Sequence, residues 1–191
     1  MSFPKATDMA HELVAKRIRK RSCVIDATAG NGHDTVFLAE KVGPTGKVFA
    51  FDIQEPALDA TRARLEEAGH STQVSLKNES HEHLGDHLPK RHHGHVQAIM
   101  FNLGYLPGGD KSVTTRWVST MAALRASLDL ISESGIITVT AYPGHLEGGE
   151  EANAIVQFGR WLDPREYRVL QYHFLNLTND PPFLVAIERA G

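Results

Sequence analysis

A single cysteine, Cys23, excludes any internal disulfide. No apolar run approaches the roughly 20 residues that cross a bilayer. The N-terminus, Met1-Ser2-Phe3-Pro4-Lys5-Ala6-Thr7-Asp8, lacks the apolar centre of a signal peptide. With Cys23 at the start of an apolar strand, these absences point to a cytoplasmic location away from membranes. Internal repeats, low-complexity tracts and linkers are also missing. The 191 residues therefore read as one α/β domain, residues 1–191, long enough to bury a core.

Charge of one sign is scarce too, and the net of −3 does not advertise nucleic-acid binding. Local clusters exist nevertheless. Lys16, Arg17, Arg19, Lys20 and Arg21 crowd the end of the first helical pattern, and Lys90, Arg91, His92, His93 and His95 form a second group. Either can meet phosphates, or can be a solvated face. Six of the eleven histidines lie between His81 and His95. Their spacing matches no zinc template, so no metal is expected.

What is present begins with Val24-Ile25-Asp26-Ala27-Thr28-Ala29-Gly30-Asn31-Gly32-His33-Asp34. An apolar strand ends in an acid, small residues and two glycines follow, and a helix starts. Such a unit builds a nucleotide crevice in an open α/β sheet. A second acid, Asp52, closes the next strand, where it suits ribose hydroxyls. A dinucleotide fingerprint needs a third glycine or alanine near Thr35, and none is there. The order Asp-x-x-x-Gly-x-Gly, then a strand-end acid, resembles the S-adenosylmethionine (SAM) site of Rossmann-like methyltransferases, which cradle no pyrophosphate. The bland alternative is an ordinary βα turn whose glycines only supply positive φ.

Periodicity predicts helices over Thr7–Arg19, His33–Val42, Pro56–Ala68, Ser80–Leu88, Val113–Ile131 and Glu150–Leu162. Strands are predicted at Ser22–Ala27, Lys47–Ile53, Gln73–Lys77, Val96–Phe101, Gly135–Ala141, Tyr167–Leu177 and Phe183–Glu188. Alternation of strand and helix implies parallel pairing with right-handed crossovers. The last two strands lie too close for a crossover and must be antiparallel. The expected architecture is a Rossmann-like, seven-stranded class I methyltransferase sheet, order 3-2-1-4-5-7-6, with helices on both faces. Its crevice opens where the order reverses, between strands 1 and 4.

The loops beyond those strands supply the candidate residues. Asp26 and Gly30 suit the ammonium end of SAM, and the helix start suits its carboxylate. Asn31, Gly32 and His33 complete that loop. For Asp34, a cofactor contact and stabilisation of the first helical turn both stay open. Asp52 and Gln54 suit the ribose, and Ser80 and His81 flank the adenine, although Ser80 also fits a helix N-cap. After strand 4 comes Asn102-Leu103-Gly104-Tyr105, which keeps the spacing of the Asn/Asp-Pro-Pro-aromatic motif of amino methyltransferases but not its prolines. Asn102 would align an acceptor amine and Tyr105 would stack on its base. Gly104, Tyr142, Asn179 and Asp180 are further expected substrate contacts, and His145 is the expected proton acceptor.

The blocks Asp26–Thr35, Asp52-Ile53-Gln54, Ser80-His81, Asn102–Lys111, Tyr142-Pro143-Gly144-His145 and Pro181-Pro182, with the early His11-Glu12, span almost the whole chain. Together they resemble a small methyltransferase family, long labelled rRNA methylases and now linked to tRNA 5-aminomethyluridine. The resemblance implies methyl transfer from SAM to the amine of 5-aminomethyl-(2-thio)uridine at tRNA position 34. It also implies contact with the anticodon stem-loop and a homodimer. The rivals are a methyltransferase for rRNA or a small metabolite, and a non-catalytic SAM- or RNA-binding module.

Overall fold

A computed structural model describes residues 2–106, 108, 114–144 and 146–190. Four strands form its centre: Cys23–Asp26 (β1), Val96–Asn102 (β4), Ile131–Ala141 (β5) and Phe183–Arg189 (β7). They are mostly buried on both faces, as strands flanked by helices must be. Lys47–Asp52 (β2), Val74–Asn78 (β3) and Tyr167–Tyr172 (β6) complete one sheet in the order β3-β2-β1-β4-β5-β7-β6. Pairings from β3 through β5 are parallel, and β7 is antiparallel to both neighbours. The expected order is the observed one.

Alternate side chains feed two cores. Ile25, Phe49, Phe51, Ile99, Phe101, Ile137, Val139 and Val185 pack under Trp117–Leu130 (α4) and Leu146–Trp161 (α5). Val24, Val48, Ala98, Met100, Ile136 and Leu184 face the opposite way. There they meet Ala6–Ala15 (α1), His33–Val42 (α2) and Leu65 of Glu55–Glu67 (α3). The period of two in the strands thus produces helices on both faces. None of the described helices is long and apolar enough to cross a membrane.

Several predicted boundaries move. The first helix stops at Ala15 rather than Arg19, because the chain turns into β1 through Arg21 at φ 72°. Instead of a helix over Ser80–Leu88 there is a short 3-10 turn, His81–His83, whose following Leu84 and Leu88 are buried. Helix α4 begins at Trp117, after Tyr105 and Thr114 form a small antiparallel bridge. Strand β5 begins at Ile131, directly after α4. Its register with β4 shifts between Val96 and Ala98, and Ser134 sits at φ 62°. Gly135 is required at that bulge, since a Cβ there would lie 2.8 Å from Ser132 O. Strand β6 ends at Tyr172, whose hydroxyl donates to Pro4 O at 2.9 Å, rather than at Leu177.

Candidate active site

The β1–α2 loop is shaped by backbone need. Gly30 and Gly32 sit at φ 51° and 82°. The Ala29 N–H donates to Phe51 O and the Gly32 N–H to Ala29 O, both at 2.8 Å. Helix α3 then clamps the loop. The Thr61 hydroxyl donates to Gly30 O at 2.9 Å, and Arg64 Nε donates to Asn31 O at 2.8 Å. A Cβ on Gly32 would stand 2.8 Å from Thr61 Cα, so glycine permits this approach.

A cavity of about 1240 Å³ lies above the carboxyl ends of β1, β2, β4 and β5. Most small-ligand sites hold roughly 300–1,000 Å³, so this one has room for a cofactor and a second nucleoside. Gly30, Asn31, His33, Asp34, Asp52, Gln54, Ser80 and His81 line one part. Asn102, Gly104, Tyr105, Tyr142, Asp180 and Pro182 also line it. The hairpin turn reaches the same edge because β6 runs parallel to β5. Asp180 there adopts φ 42°, a left-handed conformation that Asp tolerates.

Three expected contacts are corrected. Asp26 is fully buried and absent from the cavity wall. Its carboxylate accepts from the Thr28 N–H at 3.1 Å and the Thr35 hydroxyl at 2.5 Å, so it braces the loop from below. Burial, and then the nearby Asp34 charge, push its carboxyl well above the usual range. Gly32 is turned toward Thr61 rather than the cavity. Asn179 is exposed and does not line the cavity, unlike its neighbour Asp180. His145 lies outside the described residues.

Asp52 stands at the cavity wall with both oxygens engaged. Oδ2 accepts from the Gly30 N–H at 2.8 Å and Oδ1 from the Gln54 N–H at 2.9 Å. The Ile53 backbone N–H also donates to this carboxylate, which still keeps a lone pair for a ribose hydroxyl. Burial raises its carboxyl, against the pull of those donors. Ser80 lines the cavity, and its hydroxyl accepts from the Glu82 N–H as the N-cap of the 3-10 turn. Burial lowers His81 to about 4, leaving a neutral ring set edge-on to Phe101, with centroids 5.8 Å apart. A strand-end carboxylate, an exposed helix N-terminus and a neutral aromatic wall fit a charged nucleoside such as SAM.

The loop after β4 is anchored from two sides. The Asn102 N–H donates to Thr28 Oγ1 at 2.7 Å, and the Gly104 N–H to Thr115 Oγ1 at 2.9 Å. The hydroxyls of Thr115 and Thr120 donate to the two oxygens of buried Glu151, each at 2.6 Å. Thr61, Arg64, Thr115 and Glu151 escape sequence reading. The one available signal is that Glu151 precedes Ala152 and Ile155 on a helix face otherwise apolar.

Residues 48–188 match the family model described as "Putative rRNA methylase". The chain belongs to this family. It is 35% identical over 97% of its length to an Arabidopsis thaliana protein named tRNA (mnm(5)s(2)U34)-methyltransferase, chloroplastic, and covers 70% of that protein. Among solved structures, a "putative rRNA-methylase" from Clostridium thermocellum shares 36% identity and a TM-score of 0.94, covering 99% of this chain and all of the other. A "putative methyltransferase" from Streptococcus mutans, solved in complex with SAH, shares 34% identity and a TM-score of 0.88. That match covers 98% of this chain and 99% of the other. The chain is therefore a SAM-dependent methyltransferase with a class I sheet, and SAM is its cofactor.

Proposed function

We propose that this methyltransferase N-methylates 5-aminomethyl-(2-thio)uridine at wobble position 34 of tRNA, giving the 5-methylaminomethyl form. The observation that carries the proposal is the join of two surfaces in one cavity. A nucleoside-type cofactor wall meets an acceptor wall of Asn102, Tyr105 and Tyr142. The name of the 35% identical Arabidopsis relative supports the same substrate.

Bound SAM supplies an electrophilic methyl group on a sulfonium. The chain's residues prepare the nucleophile. The acceptor is an alkyl amine, protonated in water as lysine is. The carbonyl oxygen of Asn102 accepts one of its N–H bonds and aims the nitrogen. Tyr105, 41% exposed at the cavity, offers its ring to the base. Asp52, Gln54, Ser80 and His81 hold the nucleoside half of the cofactor, and the Gly30-Asn31 backbone with His33 serves its amino-acid end.

We further infer that one domain spanning residues 1–191 acts as a homodimer on the anticodon stem-loop, in a reducing, cytoplasm-like compartment. Free, buried Cys23 is consistent with that setting. The test is incubation with SAM and tRNA lacking only the final methyl, read by nucleoside mass spectrometry. Appearance of 5-methylaminomethyluridine is the expected result. Methylation of rRNA or a free metabolite in its place overturns the proposal. So does SAM binding without turnover on any RNA.

A further inference from the structure

Asp34 has a second set of partners that the cofactor does not explain. It lies in the first turn of α2, 12% exposed, on the cavity wall. Its Oδ1 is 2.6 Å from His11 Nε2, and its Oδ2 accepts from Asn102 Nδ2 at 3.4 Å. His11 is itself fixed, stacked on Phe37 with centroids 4.0 Å apart and planes 4° apart. A carboxylate in a first helical turn commonly faces the free backbone N–H groups. Here it is turned instead toward a second helix and toward Asn102.

The contact with Asp34 orients the Asn102 amide. Its amide NH₂ is directed at Asp34, so its carbonyl oxygen is the atom left for a donor. A carboxylate beside an amide oxygen is a receptor for an ammonium group. Such a group is the resting form of an alkyl amine, and it cannot attack a methyl until it loses a proton.

We propose that Asp34, positioned by His11, binds the acceptor's ammonium and takes its proton. This rests on the aminomethyluridine reading above. One N–H bond breaks and its proton moves to the Asp34 carboxylate. The lone pair left on nitrogen then forms the new C–N bond. The bond from the methyl carbon to sulfur breaks, and its electron pair stays on sulfur. The product departs as a secondary ammonium, and Asp34 returns its proton to water. Asp34 is thus a catalytic residue and His11 a positioning residue.

Among the described residues, the titratable groups facing Asp34 are His11 from α1, Asp26 from β1 and Tyr142 from the loop after β5. Burial and then the Asp34 charge raise Tyr142, which stays a neutral phenol. Asp26 is sealed below the loop. Asp34 is the anion of this group that reaches the cavity.

Asp34→Asn keeps the shape and removes the charge. With saturating SAM and aminomethyl tRNA, single-turnover rates at pH 7 should fall at least about 100-fold. The variant's rate should then rise about tenfold per pH unit toward the amine's own pKa, so the deficit closes in alkali. A merely structural defect lowers the rate equally at every pH. A readout without turnover uses the SAH complex. Wild type should bind an aminomethyl stem-loop about tenfold more tightly than a 5-hydroxymethyl one, and Asp34→Asn should bind both alike. Should Asn fail to fold, Asp34→Ser repeats both measurements. A wild-type pH profile with an unchanged ammonium preference overturns the proposal and leaves the substrate assignment standing. Failure of the wild type itself to methylate aminomethyl tRNA overturns both.

Discussion

Asp26 and Asp52 both end parallel strands, and burial separates what they do. Asp52 touches the cavity, so on the proposed ribose role Asp52→Ala should remove an acceptor from the cofactor site while the fold survives. A charge-assisted hydrogen bond contributes about 1.5–3 kcal/mol, and SAM affinity should drop roughly ten- to a hundredfold by calorimetry. An unchanged affinity would reject the ribose role. Asp26 instead bears on stability. Its folded-state carboxyl is raised above the unfolded value of 3.8, to about 7. Between those limits the folded state keeps a proton that the unfolded chain has released. Asp26 therefore supports the fold most below pH 4 and loses that support as pH rises toward 7, by up to about 1.4 kcal/mol per pH unit. His81, lowered to about 4, acts in the opposite sense over a similar range. The informative quantity is thus the difference between Asp26→Asn and wild type at each pH. Urea unfolding should show the variant gaining on wild type from pH 4 to pH 7. A constant difference would mean that Asp26 is ionised throughout.

At the scale of elements, the β1–α2 turn makes the clearest demand. Gly32→Ala meets both a left-handed φ of 82° and the Thr61 backbone, whereas Gly69, at φ 70°, has nothing within 4 Å of a new Cβ. Gly69→Ala should therefore cost only the dihedral penalty, about 1 kcal/mol. Gly32→Ala should cost on the order of 2–3 kcal/mol and weaken SAM binding, because its clash displaces the loop. Equal urea midpoints for the two variants would show that α3 does not clamp the turn. The same turn explains how legible the chain was. Helix α2 was bounded correctly, since Gly32-His33 and Gly43-Pro44 punctuate it locally. So was the sheet order, which follows from alternating elements and a closing hairpin. Boundaries set by distant contacts were not legible. Strand β5 starts early because Ile131 pairs with Val96, and the first helix ends early because Arg21 must reach Val42 O. The site shows the same division. Asp52 and Asn102 stand at strand ends and could be picked out. Sequence alone leaves Asp34 between two roles, because its partners His11 and Asn102 lie 23 and 68 residues away. Glu151 is illegible in the sequence because its burial depends on Thr115 and Thr120 in another helix and loop.

For the whole molecule, the outer edge of the sheet is the unbalanced part. Strand β6 has one neighbour, β7, and leaves Val169 and Leu170 exposed. Trp161 ends the helix beside it at 84% exposure, and Leu175, just beyond the strand, is 92% exposed. Apolar side chains on an edge strand invite pairing with another chain. A 21.0 kDa domain with a net charge of −3 also offers little surface of its own for a stem-loop. We propose that a second copy docks at this edge, covering the apolar side chains and doubling the surface open to RNA. Light scattering should therefore give twice the monomer mass. Leu170→Lys with Leu175→Lys should release monomers. The monomers should bind SAM as wild type does, because neither Leu170 nor Leu175 lines the cavity, yet lose affinity for tRNA. A wild-type monomer with full tRNA activity would remove the case for the dimer. A charged-edge variant that stays dimeric would move the interface to another face.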